Sequence, residues 1–484
     1  MRPAITIIAD DLTGACDTGA VFAQAGWRTL VLLAPESSPV AASGDIDVLV
    51  YTTESRYLPV EQASAAVAHI AGRVIATSQS QSSPLQSPSF AASAISGDAD
   101  EDNRLKPRAP ESPVSLLQSS SFAASAISGH ADEDNRLKPR PPESPISTLQ
   151  SQLGVWVYKK IDSTLRGHPC EELAALMDAL KIKQALVAPA FPAQGRTTLN
   201  AQLIVDGQPH SAATLVDDVP SGDLRLVFRN EHYAMQTVGL DVVRAGVRTV
   251  AEWMCAQPGI LMADAQTDDD LITLASAAQV AGIRLLCGSA GLARALAQVI
   301  GARRVAQQSA NVIARPVSPF LVMAGSRNPA TLKQIETARG SGVAVINLPA
   351  EFGQPDKPYS AALDHVSAQV KAVIAAGRDV IVTTAALELS PLGKDVIAHR
   401  LGEIAAQVLT GVRPGTLVLT GGDIAASVCA ALGAHGITLL GELQPGIAFG
   451  SLSDGAYDGL RVVTKAGGFG RAESLLEIIR GMGD

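Results

Sequence analysis

Aromatic residues make up only 4% of this 484-residue chain, which argues against the stacking platforms that hold single-stranded nucleic acid. Positive charge is not in excess either. Lys and Arg number 38 against 47 Asp and Glu, a formal charge of −9, so neither nucleic acid nor an acidic membrane surface is expected as a partner. The five cysteines, Cys16, Cys170, Cys255, Cys287 and Cys429, are scattered and include no Cys-x-x-Cys pair. That pattern speaks against a disulfide framework or a zinc site and fits reduced thiols in a cytoplasmic protein. No run approaches the ~20 apolar residues of a membrane span. Near the amino terminus, Asp10 and Asp11 interrupt the apolar run too early for an export signal. Histidines do not cluster: His168 and His210 stand alone, and no Ser-His-Asp or metal-ligand spacing is present. Two nucleotide signatures are missing as well. There is no Walker A sequence, and no Gly-x-Gly-x-x-Gly follows the first apolar run, which weighs against a dinucleotide dehydrogenase.

What the chain does have is core-forming material in a regular order. With 47% hydrophobic and 18% charged residues, at a length beyond which single cores stop growing, two domains are the default. Strand-like runs at Ala4–Ile8, Thr29–Leu33, Asp47–Tyr51, Val155–Tyr158, Gln184–Val187, Gly259–Met262 and Arg284–Cys287 alternate with helical patterns. A second series runs through Phe320–Ala324, Val343–Asn347, Val380–Thr384, Thr416–Thr420, Ile437–Leu440 and Leu460–Val463. Such alternation predicts an α/β protein of two domains, each with a mainly parallel sheet flanked by helices, and ligands in the cleft between them. The domains are expected at 1–300 and 320–484, joined by a linker at 301–319 that ends Arg-Pro-Val-Ser-Pro.

The pattern fails only between residues 78 and 152. Leu85 to Leu116 aligns with Leu117 to Thr148 as a near-perfect tandem repeat with a spacing of 32 residues. Two copies fall short of the three a solenoid needs. Each copy is rich in proline and has one aromatic residue, so it buries too little to offset chain entropy. A disordered insertion without functional content is the reading, and logarithmic loop-closure entropy lets the first domain tolerate it.

Four clusters carry possible chemistry, each just past an expected strand, where open α/β sheets bind their ligands. The first is Asp10-Asp11-Leu12-Thr13-Gly14. Adjacent carboxylates repel, so the pair suggests a polar ligand, a cation or proton transfer, although Asp11 or Thr13 could simply cap the next helix. The second, Thr52-Thr53-Glu54-Ser55-Arg56, offers an arginine able to grip a carboxylate or phosphate, unless it is only an exposed loop residue. The third, Lys159 to Gly167, is denser. It packs Lys160, Asp162, Ser163, Thr164 and Arg166 into a strand-to-helix turn, which suits a small polyhydroxy acid or a solvated charged loop. Downstream, the stiff loop from Ala188 to Thr198 could turn Arg196 toward the same crevice. The fourth is a set of glycine turns: Gly325-Ser326-Arg327-Asn328, Thr420-Gly421-Gly422-Asp423-Ile424 and Lys465-Ala466-Gly467-Gly468-Phe469-Gly470. Glycines at helix amino termini let backbone N–H groups approach phosphate oxygens, and three such turns in one domain point to a nucleotide.

Together, Ala9-Asp10-Asp11-Leu12-Thr13-Gly14-Ala15, the Lys159–Gly167 run, Ala188-Pro189-Ala190-Phe191-Pro192, Gly421-Gly422-Asp423 and Lys465 to Gly470 resemble the motifs of the four-carbon acid sugar kinase family. The resemblance spans the chain apart from residues 78–152. It implies an ATP-dependent kinase that phosphorylates D-threonate, D-erythronate or 3-oxo-tetronate to the 4-phosphate, with ATP and Mg²⁺ as cofactors. It further implies substrate contacts at Asp11, Arg56, Asp162, Ser163, Thr164 and Leu165, and ATP contacts at Ser326, Gly421, Gly422, Asp423, Ile424 and Gly468, with Gly467 beside them. On that basis Arg56, with Lys160 or Arg166, is expected to hold the substrate carboxylate, and Asp11 or Asp162 to act as catalytic acid–base groups. Asp10 holds the turn or lies near the metal. The other readings are a sugar-acid dehydrogenase and a non-catalytic sugar-acid-binding protein. Homo-oligomer formation is left open.

Overall fold

A computed structural model describes residues 3–33, 46–79, 155–210, 222–301, 315–325, 328–354, 358–387 and 392–481. The tandem repeat, Ser326 and most of the expected linker lie outside the described residues. In chain order the first half supplies β1 (Ile5–Ala9), β2 (Thr29–Leu32), β3 (Val48–Thr52), β4 (Trp156–Lys160) and β5 (Gln184–Ala188). There follow three short strands, β6 (Arg196–Leu199), β7 (Gln202–Val205) and β8 (Gln208–Pro209), then β9 (Met235–Val238), β10 (Gly259–Ala263) and β11 (Leu285–Gly288). The second half supplies β12 (Phe320–Ala324), β13 (Ala344–Asn347), β14 (Val380–Thr383), β15 (Thr416–Thr420), β16 (Gly436–Gln444), β17 (Ile447–Ser453) and β18 (Arg461–Lys465).

The strands are apolar runs because both faces of the sheet are covered. In β1, Ile5, Ile7 and Ala9 face a core shared with the helices Leu12–Gln24 and Ala290–Val299, while Ile8 faces the opposite core, against the helices Val60–Gln79 and Pro169–Leu180. Ile5, Ile7 and Ile8 are fully buried, and burying such a side chain stabilises the fold by roughly 1.5–3 kcal/mol. A third core forms where the helices Pro329–Gly340 and Ser474–Arg480 cover the other end of the sheet.

The α/β architecture, with mainly parallel strands and flanking helices, is as the alternating runs predict. What differs is that the two halves do not keep separate sheets. They share one sheet of fifteen strands in the order β13-β14-β12-β15-β18-β17-β16-β2-β3-β1-β4-β11-β5-β10-β9. Pairing is parallel except at β2–β16, β16–β17 and β17–β18. The join has a plain cause. Alone, β2 would expose a row of unpaired N–H and C=O groups, and β16 covers that edge, pairing Gly436 with Leu32 and Thr438 with Leu30. The expected strand Ile437–Leu440 is therefore one end of a long antiparallel hairpin that turns at Gly446 (φ 80°). A second difference is at Arg196, which is no loop residue but the start of β6 in a small antiparallel sheet. Among the described residues no helix is long and apolar enough to cross a membrane.

Two groups of adjacent strands set the stage for chemistry. In the first half, β3, β1 and β4 are neighbours, with Ala9 level with both Thr52 and Lys160. The turns that follow all three strands therefore leave the sheet side by side. In the second half, β12, β15 and β18 are neighbours, level at Ala324, Thr420 and Lys465, which does the same for the three glycine turns.

Candidate active site

The acidic turn after β1 is neutralised from within. Arg56 donates from Nε and Nη2 to the two oxygens of Asp10 (2.7 and 2.9 Å), and from Nη1 and Nη2 to those of Asp11 (2.7 and 2.9 Å). All three side chains are buried. Burial alone would raise the Asp10 carboxyl, but the Arg56 guanidinium, with help from Lys159 and Lys160, holds it below the usual carboxylate range. Asp11 also serves as a cap: it accepts from the Gly14 N–H at 2.8 Å and from the Thr13 hydroxyl at 2.8 Å. The cap and the charged cluster, alternatives in the sequence, are one residue doing both. Arg56 is correspondingly committed, with guanidinium N–H donors turned to the two aspartates.

The Lys159–Gly167 run folds against this cluster. A side chain at Gly167, where φ is +84°, would lie 3.5 Å from both Arg56 and Asp10. Asp162 accepts from Arg166 Nε (2.9 Å) and Nη2 (2.8 Å), from the Thr164 N–H (3.1 Å) and from its hydroxyl. Its burial is outweighed by Arg166, so the carboxyl sits well below the usual range. Leu165 is buried and takes φ +66° to close this turn. The two lysines diverge. Lys159 points into the core, where it pairs with Glu172 at 2.9 Å and donates to the Lys160 carbonyl, while Glu172 also accepts from Ser55. Lys160 is buried beside Gly14, where a side chain would meet its Nζ at 2.9 Å and Asp11 Oδ1 at 2.6 Å. Its ammonium makes no hydrogen bond or ion pair with another described residue. Ser163 is buried nearby.

Two carboxyls here have no arginine partner. Glu54, at φ +47° in the turn after β3, accepts from the Thr52 hydroxyl. The residue is exposed, yet desolvation at the turn and the charges of Asp11 and Asp423 outweigh the Thr52 hydroxyl and Arg56 and push its carboxyl up to about 8. The sequence names Glu54 only as part of its cluster; the signal that singles it out is spatial, the convergence of carboxylates from two domains. Asp17, one and a half turns along the first helix, is buried with Oδ1 unpartnered. Burial pushes it up to about 7, against the nearby Lys160. A carboxyl raised from 3.8 to about 7 contributes stability that is present below pH 4 and lost as pH rises through 7. Asp17→Asn is therefore expected to gain on the wild type between pH 4 and pH 8, by up to about 4 kcal/mol at 1.4 kcal/mol per unit. Urea unfolding at the two pH values checks this, and a gap that does not change with pH would disprove it.

The nucleotide-type turns converge across the domain junction. Gly421 (φ 102°) donates its N–H to the Lys465 carbonyl, and the helix Gly422–Ala431 begins immediately after it. Gly422 comes so close to the first domain that a side chain there would sit 2.7 Å from Asp11 Oδ2 and 3.4 Å from Thr13 Oγ1. Gly325 packs on Ile424, and Gly468 faces the Asn328 side chain. Asp423 stands at this junction, raised by burial and by the charge of Asp11 and lowered by Lys394. Further contacts span the two halves. Lys394 Nζ lies 4.2 Å over the Tyr57 ring, and Phe469 meets Phe191 edge-on at 6.2 Å with the Arg196 guanidinium 5.6 Å over its ring. Arg196 thus reaches the second half through Phe469, with its Nε buried and without a hydrogen-bond partner among the described residues.

The family follows from comparison with known proteins. A sugar-binding N-terminal domain matches residues 5–85 and 143–296, and a nucleotide-binding C-terminal domain matches residues 321–475. A D-threonate kinase of Salmonella typhimurium LT2 is 31% identical over 98% of this chain and 97% of its own length. The chain belongs to the four-carbon acid sugar kinase family. A D-threonate kinase of Bordetella bronchiseptica (29% identical, 98% of this chain, 96% of its own) and a D-erythronate kinase of Heliobacterium modesticaldum (26%, 97% and 95%) are further relatives. A crystal structure of a Salmonella typhimurium LT2 protein shares the fold, with a TM-score of 0.67 at 16% identity over 99% of both chains. The first cluster lies within the match to the sugar-binding domain and the glycine turns within the match to the nucleotide-binding domain.

Proposed function

We propose that the chain is an ATP-dependent kinase acting on the terminal (4-) hydroxyl of a four-carbon sugar acid, with D-threonate as the preferred substrate. The observation that carries this reading is the meeting of Gly422 with Asp11, which sets a phosphate-type turn directly on the acidic, hydroxyl-lined pocket. D-Threonate is taken as preferred over D-erythronate and 3-oxo-tetronate because the full-length relatives named for it are the more similar ones, at 31% and 29% identity against 26% for D-erythronate and 24% and 25% for 3-oxo-tetronate.

Phosphoryl transfer asks for alignment and charge neutralisation more than covalent chemistry. In this reading Lys160, the ammonium left unpaired, takes the substrate carboxylate, and Ser163, Thr164 and the Leu165 turn line the hydroxyls. Arg56 and Arg166, each bound to carboxylates, act by fixing Asp11 and Asp162 rather than by gripping the substrate alone. Asp11, beside the nucleotide turn, orients and accepts the proton of the terminal hydroxyl; Asp162, held far below the usual range, shapes the pocket. Gly421, Gly422, Ile424, Gly467 and Gly468 cradle the phosphates, with Ser326 expected beside them. Asp11 raises the cost of ionising Asp423 at the junction, as in a carboxylate pair suited to a phosphate-bound divalent cation. Mg²⁺ there would neutralise phosphate charge. The domain division at 301–319 and a cytoplasmic setting belong to the same reading, supported by the gap between the two family matches and by the scattered, unbridged thiols.

A coupled ADP-release assay with ATP and Mg²⁺ across D-threonate, D-erythronate, their L forms and 3-oxo-tetronate tests it. The highest kcat/KM is expected with D-threonate. No ADP release with any of them would overturn the kinase reading, and a nicotinamide absorbance change would replace it with a dehydrogenase.

A further inference from the structure

Lys465 ends β18, fully buried, beneath the Ala466–Gly470 turn. Its ammonium donates to the Ala466 carbonyl at 3.0 Å, the Phe469 carbonyl at 3.1 Å and Thr331 Oγ1 at 3.4 Å, which uses all three of its donors. Thr331 in turn donates its hydroxyl to the Gly467 carbonyl at 2.7 Å. Gln334 Nε2 reaches the Phe469 and Arg471 carbonyls at 3.0 and 2.9 Å. The turn's carbonyls at 466, 467, 469 and 471 are therefore all drawn inward. In a planar trans peptide the N–H points opposite to the C=O. The N–H groups of Gly467, Gly468 and Gly470 consequently face the other way, and these residues have no side chain of their own to cover them. The Lys465 carbonyl meanwhile takes the Gly421 N–H at 2.9 Å, tying the second glycine turn to the same residue.

No described carboxylate pairs with this ammonium, and burial lowers it to about 7. A buried charge without a counter-ion is costly. Its cost falls if an anion settles on the far side of the turn, where a nest of N–H groups is already aimed.

We propose that Lys465 is a positioning residue for the nucleotide's phosphates: it holds two glycine turns with their N–H groups toward the β- and γ-phosphates and supplies a buried positive charge behind them. This rests on the nucleotide reading of the second domain and adds the residue that organises it. Lys465 touches no phosphate; it acts through the backbone and through its field.

The test is calorimetric titration of ADP, ATP and adenosine, with Mg²⁺, into the wild type, Lys465→Met and Thr331→Val. Lys465→Met is expected to weaken ADP and ATP roughly 10–100-fold, as for lost charged hydrogen bonds, while adenosine changes less than about threefold. Thr331→Val, which keeps its shape and loses one link to the turn, is expected to weaken ADP several-fold and adenosine not at all. A merely structural lysine would weaken all three ligands together, and that outcome overturns the proposal, as does unchanged ADP affinity. If Lys465→Met does not fold, an unchanged ratio of ADP to adenosine affinity in Thr331→Val overturns it. A wild type that binds neither ADP nor ATP would instead sink the nucleotide reading beneath it.

Discussion

Arg56→Met is expected to destabilise the fold by about 3–5 kcal/mol, the usual cost of removing one partner from a buried charge cluster, and to abolish turnover. The wild-type guanidinium sits between two adjacent buried carboxylates and donates to all four of their oxygens. Without it Asp10 and Asp11 face each other as like charges out of water, and one of them must take a proton. The pH dependence gives the prediction its sign. In the wild type the Asp10 carboxyl lies below 3.8, so its stabilisation is present above that pH and is lost only as the pH falls through the lowered value. In the variant the same carboxyl is raised, so stability falls as pH increases. The gap between the two proteins should therefore shrink from pH 8 to pH 4, measured by urea unfolding. Adding Asp10→Asn to Arg56→Met should recover part of the loss, since it removes one of the two repelling charges. Arg56→Lys should fall between, because a single ammonium cannot serve four oxygens in parallel. Equal stability of wild type and Arg56→Met would remove the neutralising role.

Most of the architecture was legible because it depends on local chemistry. An apolar run such as Ile5–Ala9 followed by a capping aspartate and Gly14 specifies a strand, a turn and a helix whatever its neighbours are. The strands placed wrongly or overlooked share a different cause. β17 holds Gly450, Ser451 and Ser453, three serine or glycine positions in seven, too weak an apolar pattern to declare itself, and it exists because β16 and β18 flank it. The joining of the two sheets is equally non-local: it satisfies the edge of β2, which no run of residues announces. In the site, residue types were readable and pairings were not. Arg56 reads in sequence as a free cation for a substrate carboxylate, whereas its partners lie 45 and 46 residues away in the preceding turn. Lys159 and Lys160 are neighbours with the same chemistry, and only strand alternation decides that one enters the core and the other borders the pocket. Glu54 needed both domains in place, since the charges acting on it include Asp423.

Asp11→Asn should lower kcat by roughly 10²–10⁴, the range for loss of a general acid–base group, with ATP affinity close to that of the wild type. Several geometric facts separate the two effects. The amide keeps the size of the carboxyl and an oxygen for the Gly14 N–H, and asparagine caps helices as well as aspartate. The helix Leu12–Gln24 should therefore stay in place, with Gly422 still seated against it. The glycine turns proposed to cradle the phosphates are untouched. What disappears is the charge at the junction and the proton acceptor proposed for the terminal hydroxyl. That charge also acts on its neighbours, raising both Glu54 and Asp423. Its removal should let both carboxyls ionise at lower pH, and if Glu54, pushed up to about 8, gates turnover, the pH limb it sets should move downward. Steady-state kinetics from pH 5 to 9, with ATP affinity measured by calorimetry, read out both consequences. Near-normal turnover would take Asp11 out of the chemistry and leave it as a cap. A loss of turnover without a shift in the limb would keep Asp11 at the reacting hydroxyl but sever its coupling to Glu54.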